Sequence, residues 1–493
     1  MLRILVFLLL AVPCIFTLNF PKDFEFGVAT SSYQIEGGWN ASGKGENIWD
    51  YMTHNHPSWV EDKSNGDIAC NSYELWATDV QLIKNLGVSF YRFSLSWSRL
   101  LPTGFNNYIN PSGVRYYNNL IDGLLKYNIE PVVTLYHWDL PQSIQNAGGW
   151  PNIETANYFK DYANVAFDLF GNRVKTWITF NEPIEICVEG YGGGNKAPRI
   201  NSAGISDYLC GKTILLAHAK TYHLYNKYYR PKQRGKIGIT LDTAWYEPKD
   251  ESTLNMEAAE LSLQMQFGWW AHPILSKIGD YPQVMKNRIE GISIIQNFTK
   301  SRLSKLSSKE INSIKGTYDF LGVNHYSTAL ASHMPLPNKI PVSFWNDVYV
   351  KTEVDPNWKP SAANWVKDVP WGFRKLLNWI RKEYDNPPVY ITENGFPDKG
   401  QITDNDRIHY IQGYLEELLN AIKIDNCNVQ RYTVWSLLDN MEWSEGYRLK
   451  FGLYNVNFSN PHRTRTEKKS VTFYRNVIKS RRVHKDANDL VMN

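Results

Sequence analysis

Eight short apolar runs, at residues 24–30, 88–94, 131–137, 175–181, 236–243, 319–324, 388–392 and 432–437, each end in polar or aromatic residues, and stretches with helical spacing separate most of them. Such alternation restricts the chain to strands that run parallel, because a parallel pair needs a long crossover and the intervening helices supply it. Eight units of this kind predict an α/β fold: a single (β/α)8 TIM barrel with long βα-loop insertions. In a closed barrel the reactive groups gather at the C-terminal ends of several strands.

Two of those ends carry a carboxylate at an abrupt break: Glu182 in Thr179-Phe180-Asn181-Glu182-Pro183, and Glu393 in Ile391-Thr392-Glu393-Asn394-Gly395. Either string alone would pass for a solvated turn. Together, two carboxyl groups at one rim are the equipment for breaking a glycosidic bond, one protonating the leaving oxygen while the other attacks or supports the anomeric carbon.

A length of 493 residues suits one barrel enlarged by its loops, and no Ser/Gly linker, repeat or low-complexity stretch marks a boundary. Residues 18–493 are read as one catalytic barrel with a short C-terminal tail. The 18 Trp, 30 Tyr and 21 Phe exceed what a core requires and offer faces on which pyranoses stack. A net charge of +4 with dispersed positive residues argues against nucleic acid as a partner. The basic clusters at 463–469 and 479–485 are read as solvated surface. Gly192-Gly193-Gly194 lacks the following Lys-Ser/Thr of a phosphate loop and is read as a flexible loop beside the site.

Arg3 followed by an apolar block at 4–12 is too short to span a bilayer and reads as a secretory signal peptide, residues 1–17, with cleavage after Cys14 or Thr17 both compatible. Secretion fits the sequons at Asn40, Asn297 and Asn457 and implies no membrane contact after cleavage. Of the remaining cysteines, Cys70, Cys187, Cys210 and Cys427, only Cys187 and Cys210 flank one loop insertion. A bridge between them and buried free thiols both remain open. His54 and His56 lack metal-ligand partners and are read as loop residues, so the expected chemistry uses no metal and no cofactor.

The string Phe24-Glu25-Phe26-Gly27-Val28-Ala29-Thr30-Ser31-Ser32-Tyr33-Gln34-Ile35-Glu36-Gly37 and the string Tyr390-Ile391-Thr392-Glu393-Asn394-Gly395 resemble the two signatures of the family 1 glycoside hydrolases, the retaining β-glucosidases. The resemblance spans about residues 20–483. The segments 243–248 and 267–273 resemble the animal branch, insect enzymes in particular. Position by position, the resemblance implies Glu182 as acid/base and Glu393 as nucleophile, with Arg92 and Tyr326 holding Glu393. It implies sugar contacts from Gln34, His137, Trp138, Asn181, Asn324, Glu442 and Trp443, with Trp435 as the aromatic floor. Met441 stands where the family usually has Phe, and only a packing adjustment is expected. In a retaining enzyme the two carboxyl groups lie about 5–5.5 Å apart.

The function implied is a secreted retaining β-glucosidase, acting without a cofactor on a small-molecule aryl or terpenyl β-glucoside or a short β-linked oligosaccharide. Glu442 disfavours a sugar 6-phosphate. Plant thioglucosidases carry Gln in place of the acid/base, so Glu182 favours O-glycosides without excluding a myrosinase-like thioglucosidase acting on glucosinolates. A glycan-binding pseudoenzyme would have lost a carboxylate that is present here. Lys196 and Arg199 could meet an anionic aglycone or serve as solvated loop charges, and the oligomeric state stays open.

Overall fold

The computed structural model describes residues 19–483. The signal segment with Cys14, and positions 484–493, lie outside the described residues. Strands β1 (Glu25–Ala29), β2 (Phe90–Ser94), β3 (Glu130–Tyr136), β4 (Thr176–Asn181), β5 (Lys236–Asp242), β6 (Phe320–Asn324), β7 (Val389–Asn394) and β8 (Val429–Trp435) close into one barrel in chain order, every neighbouring pair parallel.

The strand boundaries shift from the expected runs by up to three residues, and two of the shifts, at the ends of β7 and β8, bear on the rim. β7 continues past 392 through Glu393 and Asn394, which still pair with Asn324 and Val434 across register shifts, so the nucleophile candidate is held by the ladder itself. β8 stops at Trp435, two residues before the expected end. Beyond it, the Leu437 amide still donates to the Ala29 carbonyl of β1, while the Ser436 amide donates to the Phe451 carbonyl and the Tyr454 amide to the Leu437 carbonyl, so the backbone there is shared between β1 and the segment after residue 450.

The crossover helices follow from capped amphipathic patterns. Pro111–Leu125 starts where the Asn110 side chain accepts from the Ser112 amide, has proline in its first turn, and buries Tyr116, Tyr117, Leu120, Ile121 and Leu124 on one stripe. Inside the barrel, Phe90, Val132, Ile178, Phe320 and Tyr390 from five strands form a packed layer toward the N-terminal end. The Arg431 guanidinium lies 5.0 Å from the Phe90 ring centre and 4.8 Å from that of Tyr390, and it is paired with Glu25 and Glu130. That layer closes one end, leaving polar side chains of the same strands to the other.

Cys187 and Cys210 form a disulfide, with Cα atoms 5.5 Å apart, tying the loop after β4 to the helix Ser206–Leu224. Cys70 and Cys427 are free and buried. The basic cluster at 463–469 is only partly solvated surface: Lys469 is exposed, but Arg465 pairs with Asp79 at 2.9 Å and Lys468 with Asp439 at 2.8 Å, all four side chains buried. The antiparallel pair Tyr454–Val456 and Arg465–Glu467 folds these cations back onto acids remote in sequence. In the second cluster Lys479 and Arg482 are exposed, while positions 484 and 485 fall outside the described residues. His54 is not in a loop either. It ends the helix Ile48–Asn55, with Nε2 2.7 Å from Asp67, whereas His56 follows that helix and stacks on Trp59.

Candidate active site

Strands β2, β4, β6 and β7, with the residues just beyond β4 and β6, place six polar side chains in one hydrogen-bonded chain. Arg92 donates from Nη1 to Glu393 Oε1 at 2.6 Å and from Nη2 to Asn181 Oδ1 at 2.6 Å. Asn324 Nδ2 reaches Asn181 Oδ1 at 3.1 Å and Glu182 Oε1 at 2.6 Å. The Tyr326 hydroxyl donates to Glu393 Oε2 at 2.6 Å. Both oxygens of Glu393 therefore meet donors, one of them cationic, as a buried carboxylate charge requires.

Glu182 is placed differently. It follows β4 with φ +51°, in the left-handed region, and its amide donates to the Thr240 carbonyl. It is 7% exposed and has no cationic partner among the described residues. Burial first, then the carboxylates of Asp242 and Glu393, push its carboxyl well above the usual range. Trp138 (φ +77°) and Trp443 (φ +50°) also occupy left-handed backbone, and all three line the same cavity. Strain of this kind in bulky residues persists where the surroundings fix a functional geometry.

That cavity holds about 550 Å³. Of the residues singled out from sequence, His137, Trp138, Glu182, Asn324, Tyr326, Glu393, Trp435, Glu442 and Trp443 line it. His137 lies between the Trp435 and Trp443 rings, 5.8 Å from each centre. Because Asn181 Oδ1 already accepts from Arg92 and Asn324, its amide nitrogen must be the donor to His137 Nε2 at 3.1 Å, which leaves the imidazole proton on Nδ1. Burial, then Arg92 and Lys196, keep this histidine neutral.

Arg92, Asn181 and Gln34 stand behind the wall rather than on it. Gln34 is fully buried, and its amide nitrogen donates to Asn440 Oδ1, the Met441 carbonyl and Glu442 Oε2, so it supports Glu442. Met441 is a buried packing residue. Burial and the Glu393 charge push Glu442 to about 8.

Sequence reasoning passed over several wall residues. Asp242 ends β5 as Glu182 and Glu393 end their runs, so the same strand-end rule could have found it. Gln266 enters from the helical turn Gln264–Gly268 and Trp365 from the loop after β6, where no pattern marks them. Lys196 is neither a solvated charge nor free for an anion: its Nζ is paired with Glu185 and sits 4.6 Å over the Trp138 ring. Arg199 stacks on Trp59.

The model of the family described as Glycosyl hydrolase family 1 matches residues 16–483. The chain is 48% identical to Myrosinase 1 of Brevicoryne brassicae over 93% of this chain and 98% of that protein. It is 43% identical to the cytosolic β-glucosidase of Cavia porcellus, covering 94% and 98%. Among solved structures, a GH1 β-glucosidase from the fungus Humicola insolens in complex with glucose superimposes with a TM-score of 0.88 at 34% identity, covering 95% of this chain and 100% of that one.

Proposed function

Because this chain belongs to glycosyl hydrolase family 1, we propose that it is a retaining β-glucosidase that removes terminal β-D-glucosyl residues from aryl or alkyl β-glucosides and short β-linked oligosaccharides. The observation that carries the reading is the unequal treatment of two buried carboxyl groups: Glu393 held by Arg92 and Tyr326, Glu182 kept protonated by burial and neighbouring charge. In the first displacement a Glu393 oxygen bonds to the anomeric carbon. The bond to the glycosidic oxygen breaks, and Glu182 gives that oxygen its proton. The ester so formed removes the Glu393 charge, one cause of the raised Glu182 pKa, and Glu182 then takes a proton from water as the water oxygen displaces Glu393.

Proton NMR of the first-formed glucose should show the β-anomer before mutarotation. Glu182→Ala should keep substrates with very good leaving groups and regain turnover with azide. Initial α-anomer would mean inversion and end this mechanism. The similarity to the Brevicoryne myrosinase makes a glucosinolate the comparison substrate in the same assay, since a thioglucosidase would prefer it to every O-glucoside.

Secretion as a glycoprotein is part of the proposal. Its supports are the basic residue and apolar block at the N-terminus, the Cys187–Cys210 bridge, and exposed asparagines at all three sequons, although the Cavia relative is described as cytosolic. Expression of the full chain in insect cells should deliver protein to the medium with an N-terminus at residue 15 or 18 and a mass lowered by glycan removal. Retention in the cytosol with Met1 intact would overturn it.

A further inference from the structure

Beyond the residues assigned to the sugar, the cavity wall carries Glu185, Glu189, Asp242 and Glu445, and Lys196 is its one Lys or Arg among the described residues. That cation is committed to Glu185. Glu445 is paired with Arg448 at 2.6 Å. The Glu189 carboxyl accepts from the Asn195 amide at 3.3 Å and from the Trp345 side chain, and it has no salt bridge among the described residues. Asp242 has no salt bridge among the described residues; its own amide is the donor recorded to its side chain, and its Oδ1 is buried without a hydrogen-bond partner. A half-buried carboxyl short of donors gains from any group that brings one, and an incoming anion must meet its charge at short range with little water between.

We propose that this wall selects aglycones by charge, accepting those that present hydrogen-bond donors, ammonium groups above all, with Asp242 as the acceptor, and refusing anionic ones. The proposal rests on the β-glucosidase reading above and narrows its substrate class. Discrimination of this kind works by placing a repulsive group against the wrong ligand as much as an attractive one toward the right ligand. It also separates this chain from enzymes of anionic glucosides, because the one cation in the wall is already neutralised.

Three aryl β-glucosides test it, sharing one ring that bears an aminomethyl, a hydroxymethyl or a carboxyl group, with ring fluorines equalising the acidity of the leaving phenol. At an ionic strength of about 10 mM, kcat/KM should fall in the order ammonium, alcohol, carboxylate, with the carboxylate about tenfold below the alcohol. Raising the salt to about 0.5 M should narrow the gap. Asp242→Asn should narrow the carboxylate-to-alcohol ratio as well, a ratio in which any effect on the chemical step cancels, and Glu189→Gln provides a second variant. A carboxylate substrate turned over as fast as the alcohol by the wild type, or a gap untouched by both variants, overturns the proposal and leaves the β-glucosidase reading standing. No turnover of any of the three overturns that reading itself.

Discussion

The two ends of the barrel handle charge and backbone strain in opposite ways. At the N-terminal end the Arg431 guanidinium serves two carboxylates, Glu25 and Glu130, above a layer of packed rings and aliphatic side chains. The turns entering β2, β3, β7 and β8 reach left-handed backbone at Gly87, Asn128, Asp385, Asn386 and Asn426, residue types that adopt it at little cost, with Arg234 before β5 the exception. At the C-terminal end Arg92 is spent on Glu393, while Glu182, Asp242 and Glu442 have no bonded cation among the described residues, and left-handed backbone falls on Trp138, Glu182 and Trp443. One end pairs its central charges and places left-handed backbone mostly on permissive residues. The other holds carboxyls without a bonded cation, Glu182 among them in left-handed backbone, which the closed layer beneath can sustain, so stability and reactivity are divided along the barrel axis.

A crossed experiment can break that division. Glu393→Gln should cut kcat on every substrate by on the order of 10⁴-fold or more, because no other group can form the glycosyl ester. Its unfolding midpoint in urea should move little, since Arg92 keeps its bonds to Asn181, Thr134 and the Thr392 carbonyl and the new amide oxygen still accepts. Arg431→Met should do the reverse, losing about 2 kcal/mol of stability through two half-buried acids left unpaired, with kcat/KM within about twofold of wild type. Activity lost in Arg431→Met beyond what unfolding explains would show that the two ends are coupled.

How much of this was legible in the sequence follows from where the information resides. The barrel was readable because each strand repeats one local pattern, and Glu182 and Glu393 because they break that pattern at its end. Asp242 breaks its own run in the same way and went unread only because no motif drew attention to it. The partners of charges were not readable: Arg465 meets Asp79, 386 positions away, and Lys196 meets Glu185 through a loop whose path no periodicity specifies. Gln34 was legible as a site residue but not as one standing behind Glu442, since which face of the first short helix points inward depends on the loop carrying Glu442. The Cys187–Cys210 bridge needed a Cα separation, which only the folded chain provides.

The subtlest expected effect lies in Asp242, the carboxyl that most sharpens the contrast between the two ends. Its charge is the second cause, after burial, of the raised Glu182 pKa, and its own carboxyl is pushed up by burial and by Glu185. A carboxyl whose pKa is higher in the folded than in the unfolded protein favours folding fully only below its unfolded value, near 4, and that contribution is lost as pH rises through the raised folded value. Asp242→Asn should therefore be more stable than wild type at neutral pH, by about 1 kcal/mol, with the advantage disappearing as pH falls toward about 4. The same substitution lowers the Glu182 pKa toward the ordinary range, so the alkaline limb of kcat/KM on a neutral aryl glucoside should move to lower pH, with activity lost on that limb and kept on the plateau. Melting curves from pH 4 to 8 and pH–rate profiles on the two proteins measure both. An alkaline limb that stays in place would mean that Glu182 does not sense Asp242, and burial together with Glu393 would then account for its protonation.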